Sequence, residues 1–76
     1  MKALAESVTL VASALHLHSD EVSEDATAKS LAAWDSLGHL GIVQAIAQRI
    51  QRQLTVEEIL GLSSVREVAD LLEPES

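Results

Sequence analysis

The chain has 76 residues, of which 47% are hydrophobic and none is cysteine. A chain of this length allows one small core in a single domain over residues 1–76, and it leaves no room for a two-lobed catalytic cleft. The missing cysteine excludes disulfides, thiolate nucleophiles and zinc–thiolate sites. Twelve acidic and five basic residues give a net charge of −7, and a nucleic-acid partner is disfavoured because its phosphates would repel this charge.

The first predicted element is a helix over residues 3–15. Its apolar residues recur at spacings of four, three and four, which places them on one helical face. They are Leu4, Val8, Val11 and Leu15.

Residues 16–35 are rich in polar and acidic side chains and lack such a stripe. We therefore expect a long ordered loop, with room for a short helical turn. A few apolar residues are expected to hold this loop against the core. These are Leu17, Val22, Leu31 and Trp34.

A second helix is predicted to begin at Asp35 or Ser36, since either residue can cap it, and to end within residues 51–53. Its inward stripe is expected to contain Leu40, Val43, Ala47 and Ile50, widened by Ile42 and Ile46. Gly38 and Gly41 lie in its first two turns, where each costs roughly 1 kcal/mol relative to alanine. Two glycines placed here despite this loss of stability indicate either that another backbone segment approaches the helix closely or that the end of the helix is mobile.

Two later segments have the capping-box pattern, in which a serine or threonine is followed three residues on by a glutamate. The pairs are Thr55 with Glu58 and Ser64 with Glu67. The first pair opens a short helix that Gly61 stops, and the second opens a final helix that Pro74 ends. The inward residues of the final helix are Val65, Val68, Ala69 and Leu72. The predicted fold class is therefore all-α, a bundle of three main helices and one short helix with a long first loop.

Ser36 is the residue whose position suggests chemistry. A hydroxyl at a helix N-terminus lies beside unpaired backbone N–H groups and the positive end of the helix dipole, and both stabilise an attached phosphate ester. Asp35 adds a negative charge that could help to hold a metal ion brought by a modifying enzyme. The same two residues also fit an ordinary helix cap, and on local evidence alone the ordinary cap is favoured.

The chain resembles the acyl and peptidyl carrier proteins over nearly its whole length. Asp35-Ser36-Leu37 matches the Asp-Ser-Leu at the start of that family's second helix, and residues 34–40 resemble the version found in freestanding bacterial carriers. Other matching blocks keep their spacing from Ser36 without a gap. They are residues 15–22, Asp25-Ala26, Leu31, residues 54–59 and residues 63–65.

This resemblance implies a four-helix acyl-carrier-like bundle that is not an enzyme. It implies that a separate phosphopantetheinyl transferase, using coenzyme A and magnesium, attaches 4′-phosphopantetheine to Ser36. The thiol at the end of this arm would carry an acyl or aminoacyl group as a thioester, which fits a chain that has no cysteine of its own. Asp35 and Leu37 are the other residues expected at the cofactor site. The implied partners are the transferase and the enzymes that load and modify the cargo.

The second helix differs from that of the carriers of fatty-acid synthesis, which is usually acidic. Residues 36–56 contain no Asp or Glu and two arginines, Arg49 and Arg52, so their formal charge is +2. We therefore hypothesise that dedicated partners recognise shape and apolar contact here, and that fatty-acid synthase enzymes bind poorly. The alternative is that both arginines form ordinary surface pairs with Glu57, Glu58 or acids of the loop.

The outward face of the second helix is expected to be nearly neutral and to meet partner proteins. Its residues are Leu37, Gly41, Gln44, Ala45 and Gln48. Leu37 is expected to be the apolar anchor for the transferase and other partners, although it also fits a core position. The predicted partner contacts are Leu37, His39, Gly41, Gln44 and Gln48.

The three histidines and the tryptophan allow more than one interpretation. His16, His18 and His39 lack the spacing of converging metal ligands, so we expect solvent-exposed histidines and no metal. His39 could instead contact the arm or a partner. Trp34 is expected to anchor the loop on the bundle, although its ring could also line the exit of the arm.

The sequence as a whole predicts a freestanding, monomeric, cytoplasmic carrier of specialised metabolism. No apolar run approaches the ~20 residues that cross a bilayer, so no membrane contact is expected, and no signal-peptide pattern opens the chain. Met1 leads at once into the first helix and no linker follows the last one, which favours a freestanding protein. Two alternatives are a peptidyl carrier that serves a nonribosomal peptide synthetase in trans and a helical docking module that is never modified.

Overall fold

The computed structural model describes residues 2–73, and these form four α-helices and one 3₁₀ turn. The helices are α1 (Lys2–Ala14), α2 (Ser36–Ile50), α3 (Val56–Gly61) and α4 (Val65–Leu72), and the 3₁₀ turn is Ser19–Glu21. The predicted all-α bundle of three main helices and one short helix is confirmed. None of the helices in this part of the chain is both long enough and apolar enough to cross a lipid bilayer.

The core forms where α1 packs against α2 and α4, and where α2 packs against α4. Aliphatic side chains at its centre are completely buried: Val11, Ile42, Ile46, Val65 and Val68. Burying each of them stabilises the fold by about 1.5–3 kcal/mol. The predicted face of α1 is confirmed, because Leu15 is buried with Val11 while Leu4 and Val8 pack against the core from its edge.

The inward face of α2 agrees with the prediction at Ile42, Ile46, Val43 and Ile50 but not at Leu40. Ile42 and Ile46 are completely buried, whereas Leu40, which we expected to face inward, is 55% exposed. The reason is that the side of α2 facing the interior of the bundle is the one that bears Gly38, Ile42 and Ile46, which are spaced by four residues. Leu40 lies two residues from Ile42 and therefore points to the opposite side of the helix.

Gly38 allows the start of α2 to approach the preceding backbone closely. A Cβ atom at this position would overlap the carbonyl oxygen of Ala33 and lie 2.7 Å from Cδ2 of Leu15. At Gly41 it would lie 3.4 Å from the carbonyl oxygen of Ala14. Of the two explanations for these glycines, close backbone approach is confirmed.

The long first loop is ordered and is bonded to the start of α4. Val22, Ala26 and Trp34 are buried. An isolated antiparallel bridge joins Thr27 to Ser64, and it is flanked by two backbone bonds: Ala28 donates to Ser63 at 2.8 Å and Val65 donates to Ala26 at 3.0 Å. The predicted pinning of the loop at Val22 and Trp34 is confirmed, and so is the short helical turn within it.

The two longest helices end without a glycine. α1 is followed by His16 and α2 by Gln51, both in the left-handed region with φ of 60°. After each of them, an N–H donates back to a carbonyl five residues earlier, from Leu17 to Ala12 at 2.8 Å and from Arg52 to Ala47 at 3.2 Å, as in a Schellman cap. α2 therefore ends at Ile50, just before the predicted end. Pro74, predicted to stop the final helix, lies outside the described residues.

The two predicted capping boxes differ in the structure. At α3 the box is complete, because Thr55 Oγ1 accepts from the N–H of Glu58 while Glu58 Oε1 accepts from the N–H of Thr55. At α4, Ser64 Oγ accepts from the N–H of Glu67, but the Glu67 carboxylate accepts from the N–H of Ser63. In the second box, the glutamate carboxylate therefore bonds to the N–H of the residue before the cap and not to the N–H of the cap itself.

Candidate functional site

The N-terminus of α2 is capped by Asp35, so the side chain of Ser36 is left free. Asp35 Oδ1 accepts the N–H of Gly38 at 2.8 Å, and the Asp35 carbonyl accepts the N–H of His39 at 2.8 Å. Sequence alone allowed either Asp35 or Ser36 to be the cap. Because Asp35 takes that role, Ser36 becomes the first residue of the helix.

The hydroxyl of Ser36 is exposed and has no hydrogen-bond partner within residues 2–73. It lies at the rim of an open groove of about 590 Å³ between the end of the first loop and α2. The groove is lined by Ala28, Trp34, Asp35, Ser36, His39 and Leu40. An incoming enzyme can therefore reach the hydroxyl without moving any part of the bundle.

The helix start beside this hydroxyl is suited to an anion. The backbone N–H groups of Ser36 and Leu37 have no acceptor in the described part of the chain, and the first turn of α2 contains no acidic side chain. Unpaired N–H groups and the helix dipole attract negative charge at such a position. A phosphate ester on Ser36 Oγ would lie next to these donors.

His39 connects three segments of the molecule. Its Nδ1 lies 3.0 Å from Trp34 Nε1, its Nε2 lies 2.8 Å from the carbonyl oxygen of Ile59 in α3, and its ring centroid lies 6.3 Å from that of Trp34. The expectation that His39 is solvent-exposed is wrong, because the side chain is half-buried between these partners. Nothing in the sequence pattern indicated the bond to Ile59, since the two residues are 20 positions apart and only the fold brings them together.

His16 and His18 are exposed, as expected. Within residues 2–73, no three His, Asp or Glu side chains gather closely enough to hold a metal ion. Trp34 is 5% exposed and anchors the end of the first loop in the core. Trp34 also lines the groove beside Ser36, and its contact with the arm remains a prediction.

The predicted contact residues of α2 do not all lie on one exposed face. Leu37 is 79% exposed, which argues against a core position for it, and Gln44 and Gln48 are exposed too. Gly41 is half-buried against α1, for the backbone reason given above. The role of these residues towards partners remains a prediction.

Three more exposed apolar side chains lie on α2 and α3, and the sequence analysis did not identify them. They are Leu40, Val56 and Leu60, with exposures of 55%, 69% and 79%. No usable signal for them was present in α3, because Val56, Ile59 and Leu60 have the i, i+3, i+4 spacing that is typical of a single inward face. We refer to Leu37, Leu40, Val56 and Leu60 as the apolar surface.

Arg49 of α2 and Arg52, two residues after its end, are paired with acidic residues. Arg52 forms two bonds of 3.0 and 2.9 Å to the carboxylate of Glu58, as the alternative of ordinary surface pairs expected. Arg49 pairs with Glu6 of α1, a partner that we did not predict. The bonds from Arg52 and from the backbone of Thr55 lower the pKa of Glu58 to about 2. Pairs this exposed stabilise the fold little, but they neutralise the positive charge of α2.

The comparisons with known proteins agree with this geometry. A family model described as a phosphopantetheine attachment site matches residues 8–72. This match spans all of the first loop, the whole of α2 and α3, and α4 to its end. Comparison with the curated proteins and with the solved structures gives no significant match.

Proposed function

Since the chain belongs to the phosphopantetheine-attachment-site family, whose members are carriers with a covalently bound 4′-phosphopantetheine and not enzymes, we propose that Ser36 is its attachment residue. One observation carries this proposal. Asp35 caps α2 and leaves the Ser36 hydroxyl exposed and without a partner in the described residues. A serine that capped the helix itself would have to give up its own bond before it could react.

The surroundings of Ser36 support the fit of the arm. The phosphate would lie beside the free N–H groups of Ser36 and Leu37, where a helix N-terminus stabilises negative charge. The groove lined by Trp34, His39 and Leu40 leads away from the same hydroxyl and gives the arm an apolar wall.

The base for the attachment reaction is proposed to come from the transferase. In this reaction Ser36 Oγ bonds to the phosphorus next to the pantetheine of coenzyme A, and adenosine 3′,5′-bisphosphate leaves. The hydroxyl proton must pass to a base. Both ring nitrogens of His39 are engaged, and the Asp35 carboxylate already accepts the Gly38 N–H. The chain therefore contributes an exposed nucleophile, and Asp35 is proposed to help place the magnesium ion of the transferase.

The bound arm supplies a terminal thiol on which an acyl or aminoacyl group is carried as a thioester. We propose that this chain is a freestanding, monomeric and cytoplasmic carrier of specialised metabolism, in which residues 1–76 form one carrier domain. The neutralised α2 supports dedicated partners over enzymes with basic docking patches.

Transferases and acyl-processing enzymes are the partners with which carrier domains generally interact, and we propose that they bind here through exposed residues of α2. Leu37 is the proposed apolar anchor, because it adjoins Ser36 and is 79% exposed. His39, Gly41, Gln44 and Gln48 remain the other proposed contacts. Fatty-acid synthase enzymes that accept the modified protein as readily as their own carrier would contradict the idea of dedicated partners.

The attachment site can be tested by intact-protein mass spectrometry. Incubation with a broad-specificity phosphopantetheinyl transferase, coenzyme A and magnesium is expected to add one phosphopantetheine to the chain, and Ser36→Ala is expected to abolish the gain. Ser19→Ala is the matched control, since Ser19 is also exposed and begins a helical turn. A mass gain that persists in Ser36→Ala would disprove the attachment residue.

The two alternatives give different results in the same assay. A helical docking module that is never modified would show no mass gain at all. A peptidyl carrier that acts in trans would gain the arm and would then be aminoacylated by adenylating enzymes. An acyl carrier would be loaded with acyl groups instead, so the second loading step separates these two.

A further inference from the structure

Helix α3 is held in place by few contacts. It has six residues, none of them fully buried, and it packs only weakly against the other helices. Ile59 is its one residue at the edge of the core, and the pair between Arg52 and Glu58 is too exposed to contribute much. Because helices this short are not stable by themselves, the position of α3 depends on the buried side chains of Leu54 and Leu62 beside its two ends and on its remaining bonds.

Within residues 2–73, the bond from His39 links α3 directly to α2, the helix that bears Ser36. It ends on the carbonyl of Ile59, which lies in the last turn of α3, where carbonyl groups have no partner within the helix. His39 lies three residues after Ser36 in the first turns of α2. This single side chain therefore joins the site end of α2 to the far end of α3.

The contacts of His39 also determine where its proton is. The indole Nε1 of Trp34 can only donate, so Nδ1 of His39 must accept at 3.0 Å. The neutral ring then carries its proton on Nε2 and donates it to Ile59. One tautomer satisfies all three groups, and Trp34 is the residue that selects it.

We propose that His39 is a positioning residue that holds α3 against the start of α2, and thereby sets the spacing between the two halves of the apolar surface. Leu37 and Leu40 form the half on α2, and Val56 and Leu60 form the half on α3. If α3 shifts, a partner that contacts both halves loses one of them. The docking part of this proposal rests on the proposed function, whereas the positioning of α3 does not.

Three substitutions separate the two bonds of His39. The amide oxygen of Asn reaches roughly the place of Nδ1, so His39→Asn keeps an acceptor for Trp34 and loses the donor to Ile59. The amide nitrogen of Gln reaches roughly the place of Nε2, so His39→Gln keeps the donor to Ile59. His39→Ala loses both bonds. The same changes at exposed His18 are the matched controls.

NMR spectroscopy tests the positioning directly. We expect His39 of the unaltered protein to show the Nε2-protonated tautomer. Amide exchange at the end of α3 is expected to be about fivefold faster in His39→Asn and His39→Ala, and unchanged in His39→Gln. The indole N–H signal of Trp34 is expected to shift in His39→Gln and His39→Ala only. Unchanged exchange in both His39→Asn and His39→Ala, or an Nδ1-protonated ring, would overturn the proposal.

Transferase kinetics test the consequence for docking. The KM for the carrier is expected to rise about fivefold in His39→Asn and His39→Ala with kcat nearly unchanged, and to rise less in His39→Gln, which keeps the bond to Ile59. The His18 variants are expected to stay close to the unaltered protein. An equal rise in all three His39 variants would mean that the ring itself touches the partner and would overturn the docking role. If the unaltered protein gains no arm, the proposed function fails, and the exchange pattern still decides whether His39 positions α3.

Discussion

The starts of α2 and α4 each contain a serine, but the two serines have different environments. At α4, Ser64 is the cap itself: its hydroxyl accepts from the N–H of Glu67 and also donates to the Glu67 carboxylate. At α2, Asp35 is the cap, and Ser36 one residue later has an exposed hydroxyl without a partner in residues 2–73. A shift of one position relative to the cap separates a serine that stabilises a helix from one that is available for modification.

The neighbourhoods of the two helix starts differ as well. The start of α4 is bonded to the first loop on both sides of the Thr27–Ser64 bridge. The start of α2 touches the loop through the backbone of Gly38 and Ala33 instead, which leaves its donors and its hydroxyl facing outwards. At α2, contacts that do not involve the serine therefore hold the helix start in place, and this leaves the hydroxyl of Ser36 available for reaction.

Removing the close backbone contact should have the largest effect. Gly38→Ala places a methyl group against the carbonyl oxygen of Ala33, and we expect it to lower the free energy of unfolding by about 3 kcal/mol. Gly61→Ala is the control, because a Cβ there meets nothing within 4 Å, and it should raise the stability by up to about 1 kcal/mol. Urea unfolding followed by circular dichroism measures both, and equal stabilities would refute the role of the contact.

The paired serine substitutions compare the two helix starts directly. Ser64→Ala removes a cap and should cost about 1 kcal/mol of stability, without affecting attachment of the arm. Ser36→Ala removes a hydroxyl that makes no bond in the described structure, so stability should change by less than about 0.5 kcal/mol while attachment is lost. A Ser36→Ala variant as destabilised as Ser64→Ala would show that Ser36 also caps α2.

The smallest expected effect is a dependence of stability on pH. It again distinguishes the helix starts, since the first turns of α3 and α4 contain glutamates and the first turn of α2 contains no acidic residue. The pKa of Glu58 is lowered from 4.5 to about 2, first by the bond from Arg52. A carboxyl with a lower pKa in the folded state stabilises it fully above pH 4.5, and this contribution is lost as the pH falls through about 2.

Glu58→Gln should therefore flatten the decline of stability between pH 4.5 and about 2, because the variant has no carboxyl to titrate there. The urea midpoint measured across this range checks the effect. An acid decline as steep in Glu58→Gln as in the unaltered chain would show that other carboxyls dominate it.

Much of the fold could be predicted because it depends on local patterns. The apolar spacing of α1, the Thr55–Glu58 box and the polar composition of residues 16–35 each describe neighbours along the chain. The expectations that failed have two different causes. Leu40 is exposed because the packing of the bundle turns the side of α2 that bears Ile42 and Ile46 inwards, and the caps at His16 and Gln51 lack the glycine that would have indicated them.

For the site, local sequence identified Asp35 and Ser36 but left open which of them is the cap, since both residue types suit that position equally. The family match over residues 8–72 follows from spacing along the chain. The structure decided that Asp35 is the cap and that Ser36 is free. Only the tertiary structure decided that Arg49 pairs with Glu6 and that His39 reaches Ile59. Periodicity and capping act within a few residues, whereas these two contacts join segments that approach each other only once the core has formed.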